Sequence, residues 1–271
     1  MTDDSHTFFD TDMQLFRISA DPPVRQAAQT EFDGNHPTAI SAFSLVEFKA
    51  TYIQDLILLH KKISTSDSFE IAGSKVVNTG GRKAFLMFGL LIKSLGGAEY
   101  AINPWAEARN EILTHINAQL ALAWEGILTS IDRIFDDFKC TRASEEPDDN
   151  GTKWSASICR CRNENTKCII VEFMKNHGPD LQKLITHLSS ITREETTPEL
   201  VRIASVVKKS LQTGQFPWKD NVCRGVGDLL IALQCKVGKK IISSNHKEHL
   251  QLSKPLNYIF QQFPYTAIRS K

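Results

Sequence analysis

The stretch Asp228–Asn245, DLLIALQCKVGKKIISSN, decides the fold. Its apolar first half has helical character, which predicts a helix over about 222–237, and Gly238 is the residue type that ends helices. KKIISS then has strand character, and Asn245 opens a polar turn, NHKEH. An acid, Asp228, lies early in the helix. An amide, Asn245, follows the strand.

Working outward, two further acids have comparable settings. TFFDTDMQLF, from Thr7 to Phe16, reads as a short buried strand ending near Asp10, then a turn or helix start. TAISAF, from Thr38 to Phe43, has strand character, and a long helix, SLVEFKATYIQDLILLHKKI, is predicted from Ser44. Leu45, Phe48, Tyr52, Leu56 and Leu59 recur along it at helical spacing. Ser44 and Glu47 have the S-x-x-E form of a capping box. The order β-loop-α, β-α, helical middle, α-β argues for an α/β fold with a mainly parallel sheet.

The middle is different in kind. Ser64 to Gly81 is polar with three glycines and reads as a linker. Helix is expected around Ala84–Leu95 and again from Pro104 to Phe138. The second helix carries Ile112, Ile116, Leu120, Trp124, Ile127, Ile131 and Ile134 or Phe135 at three- or four-residue spacing. WSASICRC and CIIVEFM flank the polar RNENTK and suggest a β-hairpin. Helices are predicted over Asp180–Leu188 and Pro198–Leu211, the latter with proline in its first turn. The tail LNYIFQQFPYTAI is apolar enough to pack on the body. Residues 1–63 and 215–271 are therefore expected to form one discontinuous core, with 64–214 as a mostly helical insertion.

Composition narrows the class of protein. The chain has 271 residues, 41% hydrophobic and 23% charged, and a formal net charge of +1. No whole-chain field favours an anionic partner, so any anion-binding surface must be local. The N-terminal MTDDSHTFFDTD lacks the basic and apolar regions of a signal peptide. The run AFLMFGLLIKSL is shorter than the roughly 20 residues needed to span a bilayer. A cytoplasmic protein with reduced cysteines is the expectation, and its six cysteines do not make a disulfide scaffold at this length.

In open α/β sheets, sites form beyond the carboxyl ends of the strands. Asp10, Glu47, Asp228 and Asn245 all have settings that can bring them to that edge. Three carboxylates there would repel one another without a cation, and hard oxygen donors suit Mg²⁺ or Mn²⁺. Each residue also has an ordinary alternative. Asp10 can be a capping aspartate, Glu47 the return partner of Ser44, Asp228 a dipole-compensating acid, and Asn245 a turn residue.

The ordered set resembles the PIN-domain family of metal-dependent nucleases, which includes toxin ribonucleases and RNA-processing enzymes. FFDTDMQLF resembles the family's first-strand motif. AISAFSLVEF resembles the motif in which Ser or Thr precedes a glutamate by three. GDLLIALQCKVGKKIISSNHKEHLQL resembles the closing motif of aspartate, helix, glycine, strand and Ser/Thr-x-Asp/Asn. The match covers about the first 60 and last 55 residues.

The resemblance implies a PIN-like three-layer α/β/α core with a mostly helical insertion carrying a small β-hairpin. Asp10, Glu47 and Asp228 correspond to the metal-binding acids, holding Mg²⁺ or Mn²⁺. Asn245 stands at the fourth position, which is Asp in many members, and Ser243 at the small hydroxyl before it. The implied activity is phosphodiester hydrolysis, with single-stranded or structured RNA the expected substrate. Ser243, Thr11 and Ser44 would position water or phosphate. The alternative is a PIN-like module that has lost catalysis and holds a protein partner or inhibitor through its insertion. A homo-oligomer is compatible with either, and no membrane partner is implied.

Other candidates are weaker. Cys140, Cys159, Cys161 and Cys168 lack the usual C-x₂-C spacing of zinc sites. Asp12 reads as a turn former. His246 and His249 lie beside Asn245 in what reads as an exposed turn. Lys208, Lys209, Lys219, Arg224, Lys236, Lys239, Lys240, Lys247 and Lys254 offer phosphate contacts or simply a solvated surface.

Overall fold

The computed structural model describes residues 6–79, 88–89, 104–140, 169–192, 194–214, 226–236 and 239–265. Among these the fold is α/β. Five strands form one all-parallel sheet: β1 (Thr7–Phe9), β2 (Thr38–Ser41), β3 (Arg133–Phe135), β4 (Lys240–Ser243) and β5 (Ile259–Gln262). Their order across the sheet is β3-β2-β1-β4-β5. β1 is central, pairing Thr7 with Thr38 on one side and Thr7 with Lys240 on the other.

The central strands lack polar–apolar alternation because both of their faces are covered. Phe8 and Phe9 point to opposite faces, and both are buried. On one face Phe9 and Ile242 pack against Met13 of α1 (Thr11–Ser19) and Val24, Ala28 and Phe32 of α2 (Pro22–Gly34). The Phe9 and Phe32 rings stack at 3.8 Å. On the other face Phe8 meets Phe135 of β3 at 4.8 Å. Pro22 and Pro23 start α2, where a missing N–H costs nothing.

After β2 the chain turns at once into α3 (Ala42–Phe48), a π-helical turn (Lys49–Ile53) and α4 (Gln54–Ser64). The helix starts three residues earlier than the Ser44 capping box would allow. Phe43 N–H donates to Ser41 Oγ at 3.1 Å, so Ser41 supplies the cap and Ser44 sits inside the helix. The stretch expected as a linker from Ser64 contains a helix, α5 (Phe69–Thr79).

The long helix α6 runs from Trp105 to Ser130, not to Phe138. Its buried stripe is Ile112, Ile116, Leu120, Ala123 and Ile127. The chain leaves the helix because Thr38 captures it. Thr38 Oγ1 donates to the Ser130 carbonyl at 2.8 Å, and Asp132 N–H donates to Thr38 Oγ1 at 3.0 Å. Arg133–Phe135 then pairs with β2.

Three helices follow: α7 (Ile170–Asn176), α8 (Gly178–Ser190) and α9 (Pro198–Thr213). Ile170–Asn176 was expected as the second strand of a hairpin, and it is helical; the first hairpin strand and its turn lie outside the described residues. So do Cys159, Cys161 and Cys168, and most of the expected helix at 84–95. α9 ends on Gly214 at φ 67°, a conformation glycine adopts without steric penalty.

α10 (Gly227–Cys235) precedes β4, and α11 (His246–Leu256) follows it. The expected turn NHKEH is thus the start of a helix. Its tail completes the sheet as β5, paired along its length with β4.

The chain divides into two compact units. One comprises 1–47, 129–144 and 157–271 and holds the entire sheet. The other comprises 48–128 and 145–156 and is helical where described. In that second unit Trp105 Nε1 donates to the Ser66 carbonyl at 2.7 Å, and Phe69 packs against Phe88 and Trp105. The expected boundary at residue 63 does not coincide with this division. Residues 129–144 belong with the sheet because β3 is hydrogen-bonded to β2.

Candidate acidic site

All strands are parallel, so β1, β2 and β4 end at one edge of the sheet. The chain there presents Asp10, then Ser44 and Glu47, then Ser243 and Asn245. Asp10 caps α1 and is 6% exposed. Its Oδ1 accepts the Thr11 backbone N–H at 2.7 Å. Its Oδ2 accepts Ser243 Oγ at 2.8 Å and His249 Nε2 at 3.0 Å.

Thr11 links Asp10 to the second acid. Its hydroxyl is 2.9 Å from Glu47 Oε2 and 3.4 Å from the Ser44 carbonyl. Ser44 contributes that carbonyl to the link, and its own hydroxyl is buried without a hydrogen-bond partner from the protein. Glu47 is held by Thr11 and is not the return arm of a capping box.

On the β4 side, Asn245 N–H donates to Ser243 Oγ at 2.9 Å, and its side-chain amide donates to Glu248. Thr197, the cap of α9, donates to the other Glu248 oxygen at 2.6 Å. Glu248 in turn meets the Asp228 carboxyl, which also feels the charges of His249 and Asp10. A hydrogen-bonded chain therefore runs Glu47–Thr11–Asp10–Ser243–Asn245–Glu248, and Asp228 is electrostatically coupled to its far end. Together they join the residues singled out in the sequence other than the Ser44 hydroxyl.

Three residues at this edge have roles that differ from the sequence expectation, or were not singled out at all. Asp12 is not merely a turn former. Its Oδ2 accepts Ser244 N–H at 2.7 Å, the Ser244 hydroxyl, and Ser243 Oγ at 3.3 Å, tying α1 to the end of β4. Glu248 joins Asn245 to Asp228. His249 is completely buried, not exposed on a turn. One signal could have revealed it: His249, Leu252 and Leu256 share one face of a helix, and all three are buried.

The electrostatics follow from crowding charges in a dry place. Burial alone would raise the Asp10 carboxyl, but the His249 cation and the bonds from His249, Ser243 and Thr11 hold it below its ordinary value. Burial would lower His249, yet Asp10, joined by Asp228 and Asp12, pushes it up to about 9. Asp12 is raised to about 6 by burial and by Asp10, against the Ser244 bonds. Asp228 is pushed well above the usual carboxylate range, mainly by burial.

The donor chemistry fits a hard divalent cation. Asp12 Oδ1 is buried with no hydrogen-bond partner, and two carboxyls are raised partly by their anionic neighbours. A cation would relieve both conditions. Among the described residues, no three His, Cys, Asp or Glu side chains already close around one point as a metal cage. Cys140 is a half-buried thiol outside any disulfide.

Of the nine basic candidates, Lys219 and Arg224 lie outside the described residues, and four others are engaged elsewhere. Lys236 pairs with Asp180 at 2.8 Å, Lys240 with Asn35 at 2.8 Å, and Lys254 with Gln251 at 3.1 Å. Lys239 lies over the Phe135 ring at 4.5 Å. Lys247, in the first turn of α11, is exposed two residues beyond Asn245. A cavity of about 350 Å³ is lined by Phe135, Phe173, His177, Gln234, Lys236 and Lys239 among others, and by none of the acids in the network. Its lysines are committed to these contacts.

Among the described residues no helix is long and apolar enough to cross a membrane. No family model matches the chain, and no curated protein or solved structure matches it at a significant level.

Proposed function

We propose that this chain is a PIN-like nuclease, a cytoplasmic Mg²⁺- or Mn²⁺-dependent enzyme that hydrolyses phosphodiester bonds in RNA. The observation that carries the proposal is the hydrogen-bonded chain from Glu47 through Asp10 to Glu248, with Asp228 electrostatically coupled to it, at the carboxyl edge of a parallel sheet. That is where open α/β folds assemble their sites. The finer fold assignment, a three-layer PIN-like core, rests on the same order of motifs.

Asp10, Glu47 and Asp228 would hold the ion, whose chemistry is to activate a water and neutralise charge developing on phosphate. Thr11 fixes the Glu47 carboxylate. Ser243 fixes Asp10 and is itself fixed by the Asn245 N–H. Asp12 locks α1 to the end of β4, so the two halves of the site keep one spacing. Lys247 offers a cation to the nucleic-acid backbone beside Asn245.

The test is cleavage of single-stranded RNA with Mn²⁺ or Mg²⁺, with Asp10→Asn and Asp228→Asn as controls. Metal-dependent cleavage lost in both variants is expected. Undiminished cleavage in both would sink the assignment.

One observation favours a second reading, a PIN-like module without catalysis. The His249–Asp10 pair already supplies a positive charge to the acid that a metal would need. In that case Mn²⁺ titration would give no binding, and the chain would instead be recovered in a stable protein complex.

A further inference from the structure

We infer that His249 is a positioning residue that restricts Asp10 to one contact with one metal ion, so that the acidic site takes a single divalent cation and not a bridged pair. The inference deepens the nuclease reading and rests on it.

An ionised carboxylate has about four lone-pair positions on its two oxygens. In Asp10 three are taken. Oδ2 receives both Ser243 Oγ at 2.8 Å and His249 Nε2 at 3.0 Å, which fills it. Oδ1 receives the Thr11 N–H at 2.7 Å, leaving one position open. In two-metal centres the ions lie roughly 3.5–4 Å apart, and a shared carboxylate must give a lone pair to each. Asp10 can do this only by releasing His249 or Ser243.

Neither is free to let go. His249 is wholly buried, and its ring faces Phe260 at 6.2 Å. The Tyr258 hydroxyl donates to its backbone carbonyl at 3.4 Å. Its other ring nitrogen has no hydrogen-bond partner, so Asp10 is its one polar anchor. Ser243 is held as well: the Asn245 N–H fixes its oxygen, and its hydroxyl lies closer to Asp10, at 2.8 Å, than to its second acceptor Asp12, at 3.3 Å. The Asn245 side chain is spent on Glu248 and does not compete for Asp10.

The experiment counts Mn²⁺ bound per full-length chain by calorimetric titration and electron paramagnetic resonance. The unmodified protein binds one ion. His249→Gln, whose amide nitrogen falls near the place of the imidazole Nε2, keeps a donor to Asp10 and also binds one. His249→Leu removes the donor, and two ions bind, broadened by their mutual coupling. His249→Asn stops short of Asp10 and gives the same result if the leucine variant does not fold. Two ions in the unmodified protein would overturn the inference alone, as would a single ion in folded Leu and Asn variants. No Mn²⁺ in any of the proteins would overturn the nuclease reading and this inference together.

Discussion

His249 Nε2 lies 3.0 Å from Asp10 Oδ2, in a place where the histidine has no solvent exposure. The pair joins residues 239 positions apart, and each holds the other's charge. His249, raised to about 9 from an ordinary value of 6.5, adds stability that is complete below 6.5 and lost as pH rises through about 9. Asp10, lowered from 3.8, adds stability that is complete above 3.8 and lost as pH falls through its depressed value. Removing one partner of a buried pair costs about 3–5 kcal/mol. His249→Leu should therefore destabilise most between about pH 4 and 6.5 and progressively less toward pH 9 and above. Urea denaturation of both proteins across pH, with chelator present, measures this. A difference that does not change with pH would refute the pairing.

Asp12 makes the opposite prediction. Its folded value is raised to about 6, so its ionised form is disfavoured in the native state. The resulting penalty develops as pH rises from about 4 to about 6 and is complete above that. Asp12→Asn keeps an acceptor for the Ser244 N–H and carries no charge. Without metal it should raise the melting temperature at pH 7.5 and change it little at pH 4. With Mn²⁺ present the gain should shrink, because a cation offsets the same repulsion.

Gly227 opens α10 immediately before Asp228. A Cβ there would lie 2.0 Å from Phe43 Cε1, in a ring that is itself buried. Gly227→Ala should cost about 1–3 kcal/mol by overpacking. It should also weaken Mn²⁺ binding, since the first turn carrying Asp228 must shift. Chemical denaturation and metal titration test the two effects separately.

Thr197 serves two elements at once. Its hydroxyl accepts the Leu200 N–H at 3.2 Å as the cap of α9 and donates to Glu248. Thr197→Ala should lose about 1 kcal/mol for the cap alone, while Thr197→Ser should retain most of it. Equal melting curves for all three proteins would show that the cap contributes nothing.

The sequence by itself determined the α/β class and most long elements. The helical spacing through Ile112, Ile116, Leu120 and Ile127 marked α6, and similar spacing marked α8 and α9. It also placed Asp10, Glu47, Asp228 and Asn245 at strand or helix ends that share one edge, because in a parallel sheet every carboxyl end faces the same way. Short elements were harder to see. β3 has three residues and β5 four, too few for a period to stand out, and each becomes a strand only because a partner strand supplies its hydrogen bonds, β2 from far along the chain for β3 and β4 across the intervening helix for β5. Local spacing ran the α6 pattern past Ser130, whereas Thr38 ends that helix from about ninety residues away.

The site's internal wiring was decided by tertiary structure alone. Ser44 with Glu47 satisfies a local capping rule, yet Glu47 bonds Thr11 from another strand end. Asp12 and His249 look like surface residues in their own neighbourhoods. Burial, which exists only once β1, β4 and α11 are packed together, turns the first into a strained acid and the second into the counter-charge of Asp10. Charge interactions become strong when water is removed, and which groups lose their water is a property of the packed chain.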